Sequence, residues 1–373
     1  MSVQIRRATS KEDREIVGRL TYDVYVEERR FDFGEADHEG RTMRGEADDA
    51  CDFFIAWVDR RPVGSIRIEL GSRSHYGPHD REVYGIERFA SLVAHSQTCL
   101  VSRLLVIPEL RSTAAPFLLM RAATELARDE GVLLGFSYCE PHLVNLYLSV
   151  GWRPYKELVN HEEAGLLAPL VFVTCDPEYL GRVGSPLRAV FDGRPAQPEL
   201  ARGIAQIIDD QAAIHSPITT QTPENWSEAY DFLSTRGAPG AIFADMTEDE
   251  TSRMLQSSLV IDCRRGDHLI SQGKTTRTLF VILEGSFEVR DRDQLLAVRG
   301  PGEVLGEVAL LLSRPRMGNV IASSDEARVL ALSEGTIRKL MDTDAELASK
   351  LLLFLAKALC GKLVERSPAA NGS

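Results

Sequence analysis

Apolar residues follow two different patterns along the chain, and these patterns divide it into two regions. In the first region, apolar runs typical of strands alternate with segments whose apolar residues recur every three or four positions, as in helices. We predict strands over 3–7, 53–58, 63–70, 99–108, 132–137 and 170–174, and helices after 9–12, over 117–130 and over 143–148. This order predicts an α+β domain built on one sheet over residues 1–178.

The second region has another organisation. A short helix is predicted over 248–256, followed by short apolar strands separated by glycines, and a closing helix over 340–363. Between the two regions, prolines punctuate residues 179–240, where helices are predicted over 199–213 and 226–233. We therefore predict a second domain over 241–366, a partly helical linker over 179–240 and a polar tail over 367–373.

Composition excludes several classes of function. Of 373 residues, 43 are Lys or Arg and 55 are Asp or Glu, giving a formal net charge of −12, so nucleic acid is a poor partner. The six cysteines and eight histidines form no metal-ligand or disulfide pattern, so we expect no metal. The chain lacks an apolar signal segment and a stretch that could span a bilayer, so we expect a cytoplasmic protein.

One motif near the C-terminus suggests a nucleotide. The run GEVLGEVALL at 302–311 places Gly306 at a turn before a helical segment, and Arg316 follows nine positions after Glu307. A glycine lets backbone approach a ligand, a helix start presents free N–H groups, and an arginine pairs with phosphate. The carboxylate of Glu307 is useful beside a phosphate if it accepts hydrogen bonds from a sugar hydroxyl.

This motif resembles the phosphate-binding cassette of cyclic nucleotide-binding domains, and the resemblance extends over about 241–365. It implies a β jelly roll with flanking helices, a cAMP or cGMP effector, and a C-terminal helix that caps the base or pairs two subunits in a homodimer. By that resemblance Glu307 binds the ribose 2′-hydroxyl and Arg316 the cyclic phosphate. The full predicted set is Gly306, Glu307, Val308, Ala309, Arg316, Met317, Gly318 and Asn319. Small residues usually follow the arginine in this family and Met317 differs, so the choice between cAMP and cGMP stays open. The alternative is a jelly roll that binds no ligand.

The first domain resembles GNAT-type N-acetyltransferases. The motifs that carry this resemblance are VIPELR at 106–111 and NLYLSVGW at 145–152. The resemblance implies that Tyr147 is the general acid for the departing thiolate. It also implies that the donor lies against Val106, Arg111, Ser112, Thr113 and Ala114. Where the family has glycines that expose N–H groups to a pyrophosphate, this chain has Ala114 and Pro116, which weakens the case for coenzyme A.

A narrower resemblance is to the autoinducer synthases and the long-chain N-acyl amino acid synthases related to them. It is carried by YDVYVEE at 22–28, the acidic loop with DHE at 37–39 and DD at 48–49, GSIR at 64–67 and SRLLV at 102–106. It implies that Arg67 and Arg103 orient donor or acceptor, with Asp48 and Asp49 near the acceptor. Two family positions differ, at Thr21 and Val101, which makes homoserine-lactone synthesis a poor fit. The catalytic base stays open among Glu69, Glu87, Glu140 and His142.

The main hypothesis is an N-acyltransferase controlled by a cyclic nucleotide. It would move an acyl group from acyl carrier protein or acyl-CoA to a small-molecule amine such as an amino acid, which makes acyl carrier protein a further partner. One alternative is a cAMP-regulated protein lysine acetyltransferase that uses acetyl-CoA. The other is a catalytically inactive, nucleotide-responsive interaction protein. A deep apolar channel favours the first hypothesis over the second.

Overall fold

The computed structural model describes residues 2–31, 34–111, 113–161, 165–209, 214–215, 240–243, 245–312 and 314–365. Two compact units make up the chain. The first comprises 1–139, 146–163 and 167–212, and the second comprises 213–373 with the short segments 140–145 and 164–166. The α+β class predicted from the sequence is confirmed.

The first unit contains one sheet and a small hairpin. Its strands are β1 (Gln4–Arg7), β2 (Ala36–Asp37), β3 (Thr42–Met43), β4 (Asp52–Val58), β5 (Arg61–Leu70), β6 (Thr98–Val106), β7 (Leu134–Cys139), β8 (Arg153–Pro154), β9 (Val159–His161) and β10 (Gly165–Val173). The sheet order is β1-β4-β5-β6-β7-β10-β8, with β9 against β10, while β2 and β3 pair separately. The β6–β7 pair is parallel, whereas β1–β4, β4–β5, β5–β6, β7–β10 and β8–β10 are antiparallel. The sheet is therefore mixed.

Helices cover this sheet. They are α1 (Lys11–Tyr22), α2 (Pro78–Tyr84), α3 (Ala115–Asp129), α4 (Val144–Ser149), α5 (Pro177–Arg182) and α6 (Pro198–Asp209). The cap of helix α1 is Ser10, within the segment 9–12 after which the helix was predicted. The Ser10 hydroxyl accepts a hydrogen bond from the backbone N–H of Asp13 at 3.0 Å, and the Asp13 carboxylate accepts one from the N–H of Ser10 in return. Helix α1 continues into a π-helical segment, Asp23–Glu28.

Two local features open the sheet at its centre. The parallel strands β6 and β7 pair only where they begin, at 98–100 with 134–136, and β7 continues to Cys139 without a partner on β6. On the other side of β6, the register with β5 shifts between Ser65 and Arg67, and Arg103 takes a left-handed backbone conformation with φ +49°. Such a conformation is costly for a residue with a Cβ, so the surrounding structure must hold this bulge in place.

Helix α6 belongs to the first unit. Its buried residues Ala201, Ile204 and Ile208 pack in one apolar cluster with Phe89, Phe136, Tyr155 and other side chains from the sheet. The compact unit therefore extends beyond the predicted boundary at 178, because an amphipathic helix in the proline-rich segment finds an apolar surface to cover. The helix predicted over 226–233 and the tail over 367–373 lie outside the described residues.

The second unit is a two-layered β structure with flanking helices. One sheet has the order β11-β12-β19-β14-β17 and the other β13-β18-β15-β16. Its strands are β11 (Ile214–His215), β12 (Leu259–Cys263), β13 (His268–Ile270), β14 (Thr278–Glu284), β15 (Phe287–Asp291), β16 (Gln294–Arg299), β17 (Val304–Leu305), β18 (Asn319–Ala322) and β19 (Ala327–Ser333). Its helices are α7 (Gly240–Phe243), α8 (Glu248–Gln256), α9 (Glu307–Leu312), α10 (Glu334–Thr343) and α11 (Ala345–Glu365).

The C-terminal helical region differs from its prediction. One helix was expected over 340–363, but the chain forms α10 and α11 with a break at Asp344, whose backbone leaves the helical region at φ −148°. The Asp344 side chain accepts a hydrogen bond from the N–H of Leu347 at 3.2 Å and so caps α11. Helix α11 buries Leu347, Leu351 and Leu355 in the core of the unit. The pairing of two subunits through this helix stays a prediction.

We expect Ile204→Ala to lower the free energy of unfolding of the first unit by about 2–5 kcal/mol, because the side chain is fully buried and its removal leaves a cavity. Urea unfolding followed by tryptophan fluorescence measures this, since Trp57 and Trp152 both lie in the first unit. The exposed Arg202→Ala on the same helix is the matched control. Equal stability of the two variants would show that α6 does not support this core.

Candidate functional site

The motif at 302–311 forms a tight loop in the second unit. Strand β17 leads into Gly306, whose φ of +85° lies in the region that favours glycine, and α9 begins at the next residue. A Cβ at Gly306 would collide with the guanidinium of Arg316 and would lie 2.7 Å from the carbonyl oxygen of Thr278. Glycine is required here both for the backbone conformation and for the space.

Arg316 lies buried against this loop, with 4% of its surface exposed. Its guanidinium donates to the carbonyl oxygens of Gly306 at 3.0 Å and Thr278 at 2.7 Å, and to the hydroxyl of Thr276 at 3.3 Å. All three acceptors are neutral, and burial lowers the pKa of Arg316 to about 10. A buried cation that is bonded only to neutral oxygens is well placed to receive an anion.

Glu307 is the first residue of α9 and is also buried. One of its carboxylate oxygens accepts a hydrogen bond from the Nζ of Lys362 at 2.7 Å, and the same ammonium donates to the carbonyl oxygen of Val304 at 2.7 Å. The structure thus brings Gly306, Glu307 and Arg316 together, as predicted. The sequence did not single out Lys362, since it lies 55 residues further along in a helix with no motif around it.

The other predicted nucleotide-site residues have mixed positions. Ala309 is buried and Val308 is half-buried on α9, whereas Met317 is 68% exposed. Asn319 accepts a hydrogen bond from the backbone N–H of Gln272 at 2.8 Å, which joins β18 to the neighbouring turn. Gly318 lies against the backbone of Arg290. Thr278 lines a cavity beside Arg316 and was not predicted.

In the first unit, Tyr147 lies on α4 with 7% of its surface exposed. Burial raises the pKa of its phenol well above the usual range, and its hydroxyl is hydrogen-bonded to the side chain of Ser137 on β7. Its ring meets the Trp152 ring edge-on, with 5.9 Å between centroids. Tyr147 is therefore a buried, neutral phenol beside the end of β7 that no longer pairs with β6.

An apolar cavity extends from Tyr147 between α3 and the sheet. The space within its lining, open solvent included, is about 450 Å³. Its lining residues are mostly apolar, and they come from α3, α4 and strands of the sheet: Ile66, Cys99, Val101, Leu104, Met120, Ala123, Thr124, Ala127, Val132, Gly135, Tyr147, Trp152, Phe172 and Thr174. A lining of this composition suits an apolar ligand.

Arg67 and Arg103 are brought together by one carboxylate. Asp48, 5% exposed, accepts from Arg103 at 2.7 Å and lies 3.4 Å from Arg67, while Arg103 also donates to Glu35 at 2.8 Å. Arg67 further donates to Glu69 at 2.9 Å. Arg67, Arg103 and Asp48 therefore form a cluster with Glu35, which the sequence analysis missed because it lies in a charged loop without periodicity.

The remaining predicted residues of the acceptor region separate. Asp49 is exposed and lies 3.7 Å from Arg44, apart from the buried Asp48. Among the candidate bases, Glu69 is buried and accepts from Ser74 as well as Arg67, whereas Glu87 pairs with Arg81 at the surface.

Two further candidate bases follow β7. Glu140 is buried at the end of this strand. The side chain of His142 lies outside the described residues. Among the parts of the chain that the structure describes, no group of three or more His, Cys, Asp or Glu is arranged to hold a metal.

The predicted donor-phosphate residues do not form an open anion site. The guanidinium of Arg111 makes a two-pronged ion pair with Glu28 at 2.5 and 2.6 Å, and its Nε donates to the carbonyl oxygen of Val106 at 2.9 Å. Thr113 caps the N–H of Ala115 and donates to Leu110. Pro116, in the first turn of α3, has no N–H. Ser112 lies outside the described residues.

The resemblance to cyclic nucleotide-binding domains and the narrower resemblance to N-acyl amino acid synthases are confirmed by comparison with known families. Residues 16–176 match the family model of the N-acyl amino acid synthase FeeM, and residues 260–344 match that of the cyclic nucleotide-binding domain. Within the described residues, no helix is long and apolar enough to cross a membrane.

Curated relatives match through a limited part of their length. A cGMP-dependent protein kinase of Toxoplasma gondii is 24% identical over 149 residues, which is 40% of this chain and 15% of the kinase. Human cGMP-dependent protein kinase 2 is 25% identical over 31% of this chain and 16% of its own length. A cAMP-dependent protein kinase regulatory subunit of Mycosarcoma maydis is 32% identical over 27% of this chain and 21% of its own length. The chain therefore spans about a sixth to a fifth of these relatives.

Solved structures resemble each unit separately. The CoA-dependent acyl-homoserine lactone synthase BjaI, solved with MTA, is 19% identical and covers 55% of this chain and all of its own, with a TM-score of 0.38. The Thermus thermophilus catabolite activator protein is 25% identical and covers 34% of this chain and 61% of its own, with a TM-score of 0.30.

Proposed function

We propose that this chain, in which an N-acyl amino acid synthase domain precedes a cyclic nucleotide-binding domain, transfers a medium or long acyl chain from a thioester to the amine of an amino acid. We further propose that a cyclic nucleotide bound in the second unit regulates the transfer. The observation that carries the enzymatic half is the apolar cavity that reaches Tyr147.

The dimensions of the cavity argue for a chain longer than acetyl. Its lining includes Cys99 and Leu104 on β6, about 17 Å apart along a strand, and Met120 and Ala127 on α3, about 10 Å apart along a helix. An extended backbone advances about 1.2 Å per bond, and a polymethylene chain has similar geometry. The lining residues therefore extend over the length of roughly 9 to 14 such bonds. An acetyl group would leave most of this apolar surface without contacts, which disfavours the acetyltransferase alternative.

The donor that fits best is an acyl carrier protein thioester. Coenzyme A needs N–H groups and cations for its pyrophosphate, but Arg111 is already paired with Glu28 and Pro116 removes an N–H at the start of α3. A carrier protein presents its pantetheine arm with a single phosphate attached to itself. Beyond the three residues where β6 and β7 pair, their facing edges offer backbone groups to the amides of that arm.

Tyr147 would complete the reaction. The amine attacks the thioester carbonyl, a C–N bond forms, the C–S bond breaks, and the departing thiolate takes the phenolic proton of Tyr147. The proton that the amine releases returns to the tyrosinate through water, so the step is balanced. Burial raises the pKa of Cys99, which lines the cavity, to about 12, so its thiol stays protonated and direct aminolysis is favoured over an acyl-cysteine intermediate.

The cluster of Arg67, Arg103 and Asp48 is the proposed acceptor anchor. Arginine binds carboxylates in a two-pronged geometry. Arg103 is 9% exposed at its side chain, and its partner Glu35 is 39% exposed. A solvent-accessible carboxylate on Arg103 can be exchanged for the carboxylate of an amino acid, which would orient the neighbouring amine.

The charge of the second unit's site matches a cyclic phosphodiester. Arg316 supplies one buried positive charge for the phosphate, while Lys362 and Glu307 neutralise each other in the absence of nucleotide. A cyclic nucleotide has a single negative charge, which Arg316 matches, whereas the phosphate of a linear nucleotide would bring nearly two.

We expect Arg316→Ala to weaken binding of cAMP or cGMP by about 2–5 kcal/mol, because the variant removes the buried cation that would pair with the phosphate. Isothermal titration calorimetry on the full chain measures the loss. Arg314→Ala is the matched control, since Arg314 is exposed and the substitution removes the same charge two residues away. If wild type binds neither nucleotide, the regulatory half of the proposal fails.

We expect Ala127→Leu to shift donor preference toward shorter acyl chains. Ala127 is buried and packs with Cys99 and Val132, which also line the cavity, so a larger side chain reduces the space available. Acyl-transfer rates with carrier-protein thioesters of graded length measure the shift. Ala122→Leu, on the same helix but outside the cavity lining, should keep the wild-type preference. An unchanged profile in Ala127→Leu would remove the cavity from the proposal.

We expect Tyr147→Phe to lower kcat at least about 100-fold with little change in KM, because the phenol acts on the leaving group and not on substrate binding. Steady-state transfer kinetics measure both constants. Tyr76→Phe removes another buried hydroxyl, which bonds to Thr98, and serves as the control. Equal kcat in the two variants would contradict the role of Tyr147 as general acid.

A further inference from the structure

Lys362 is bonded to the carboxylate of Glu307, which the proposed nucleotide site needs for a ribose hydroxyl. Its ammonium lies 2.7 Å from a carboxylate oxygen of Glu307 and 2.7 Å from the carbonyl oxygen of Val304. The side chain of Glu307 is 9% exposed and that of Lys362 is 21% exposed. With the lysine in this position, little of the carboxylate surface is open to another donor.

The bonds of Lys362 also hold the last turn of α11. Upstream, Leu351 and Leu355 are fully buried in the core and Ala358 packs against it. Cys360 and Gly361, which follow, are exposed. A glycine inside a helix costs about 1 kcal/mol relative to alanine. The contacts of Lys362 with Glu307 and Val304 therefore help to hold the turn that contains Gly361.

A ribose hydroxyl and Lys362 need the same acceptor. Glu307 is buried, so it must be matched by a cation or by hydrogen-bond donors in every state of the site. Without nucleotide, Lys362 supplies that match. With nucleotide, a ribose hydroxyl would donate to the carboxylate, and the phosphate would neutralise Arg316.

We infer that Lys362 and a cyclic nucleotide compete for Glu307, so that nucleotide binding frees the last turn of α11. This inference rests on the proposed nucleotide binding and adds the residue that sets its affinity. It makes Lys362 a positioning residue whose removal strengthens binding, because the nucleotide-free protein then loses contacts that binding would otherwise break.

We expect Lys362→Met, which keeps the length of the side chain and removes the ammonium, to lower the Kd for cAMP or cGMP about ten-fold or more. Calorimetric titration of the full chain measures this. Lys357→Met is the matched control, since Lys357 lies on the same helix and pairs with Asp245 at 3.0 Å. An unchanged or higher Kd in Lys362→Met would overturn the inference.

A second measurement is independent of affinity and uses the natural cysteines. Cys360 is exposed and the other five are buried, so a fluorophore can be placed at Cys360 alone. Saturating nucleotide should lower the anisotropy of the labelled wild type, and labelled Lys362→Met should show low anisotropy already without nucleotide. Binding without any change in anisotropy would overturn the release of the helix end.

The two proposals fail differently. Wild-type binding that Lys362→Met leaves unaltered overturns only the competition. Binding by Lys362→Met where wild type shows none supports the competition. Binding by neither protein overturns the nucleotide effector and the competition together.

Discussion

The separation of β6 from β7 is the constraint on which the first unit depends. Two parallel strands that pair for three residues and then part leave backbone groups without partners in the sheet. A fold keeps such a gap only when other parts of the structure fix both sides of it. Here the bulge at Arg103 fixes one side through its bonds to Asp48 and Glu35, and the Tyr147–Ser137 hydrogen bond fixes the other. The strained backbone therefore lies where substrates are proposed to enter.

The sequence predicted the strands, the main helices and the glycine turn well, because these depend on local periodicity and on backbone conformation. Ser10 and Gly306 each act through their nearest neighbours. Periodicity also predicted the helix over 199–213 but not that it would pack on the first unit, since the surface that it covers is formed by residues scattered between 76 and 175.

The partners of the charged residues could not be predicted for a related reason. Family motifs located Arg67, Arg103, Arg111 and Arg316, but a motif does not specify which charge is already compensated. Arg111 was expected to face a phosphate, and the structure pairs it with Glu28, 83 residues earlier. Lys362 carries no local signal either, and its importance appears only when the last helix folds back on the loop before α9.

Both units use burial to hold an ionisable side chain in a defined state, with opposite results. Burial keeps Tyr147 protonated, which is the state that a group supplying a proton to a departing thiolate must have. Burial leaves Arg316 as a cation whose bonds are to neutral oxygens, which suits a group awaiting an anion. A regulatory ligand must bind two conformational states of the protein with different affinity, because a ligand that binds both states equally does not shift the equilibrium between them. The exchange of Lys362 for a ribose hydroxyl at Glu307 provides such a difference, since one state retains the last turn of α11 and the other gives it up.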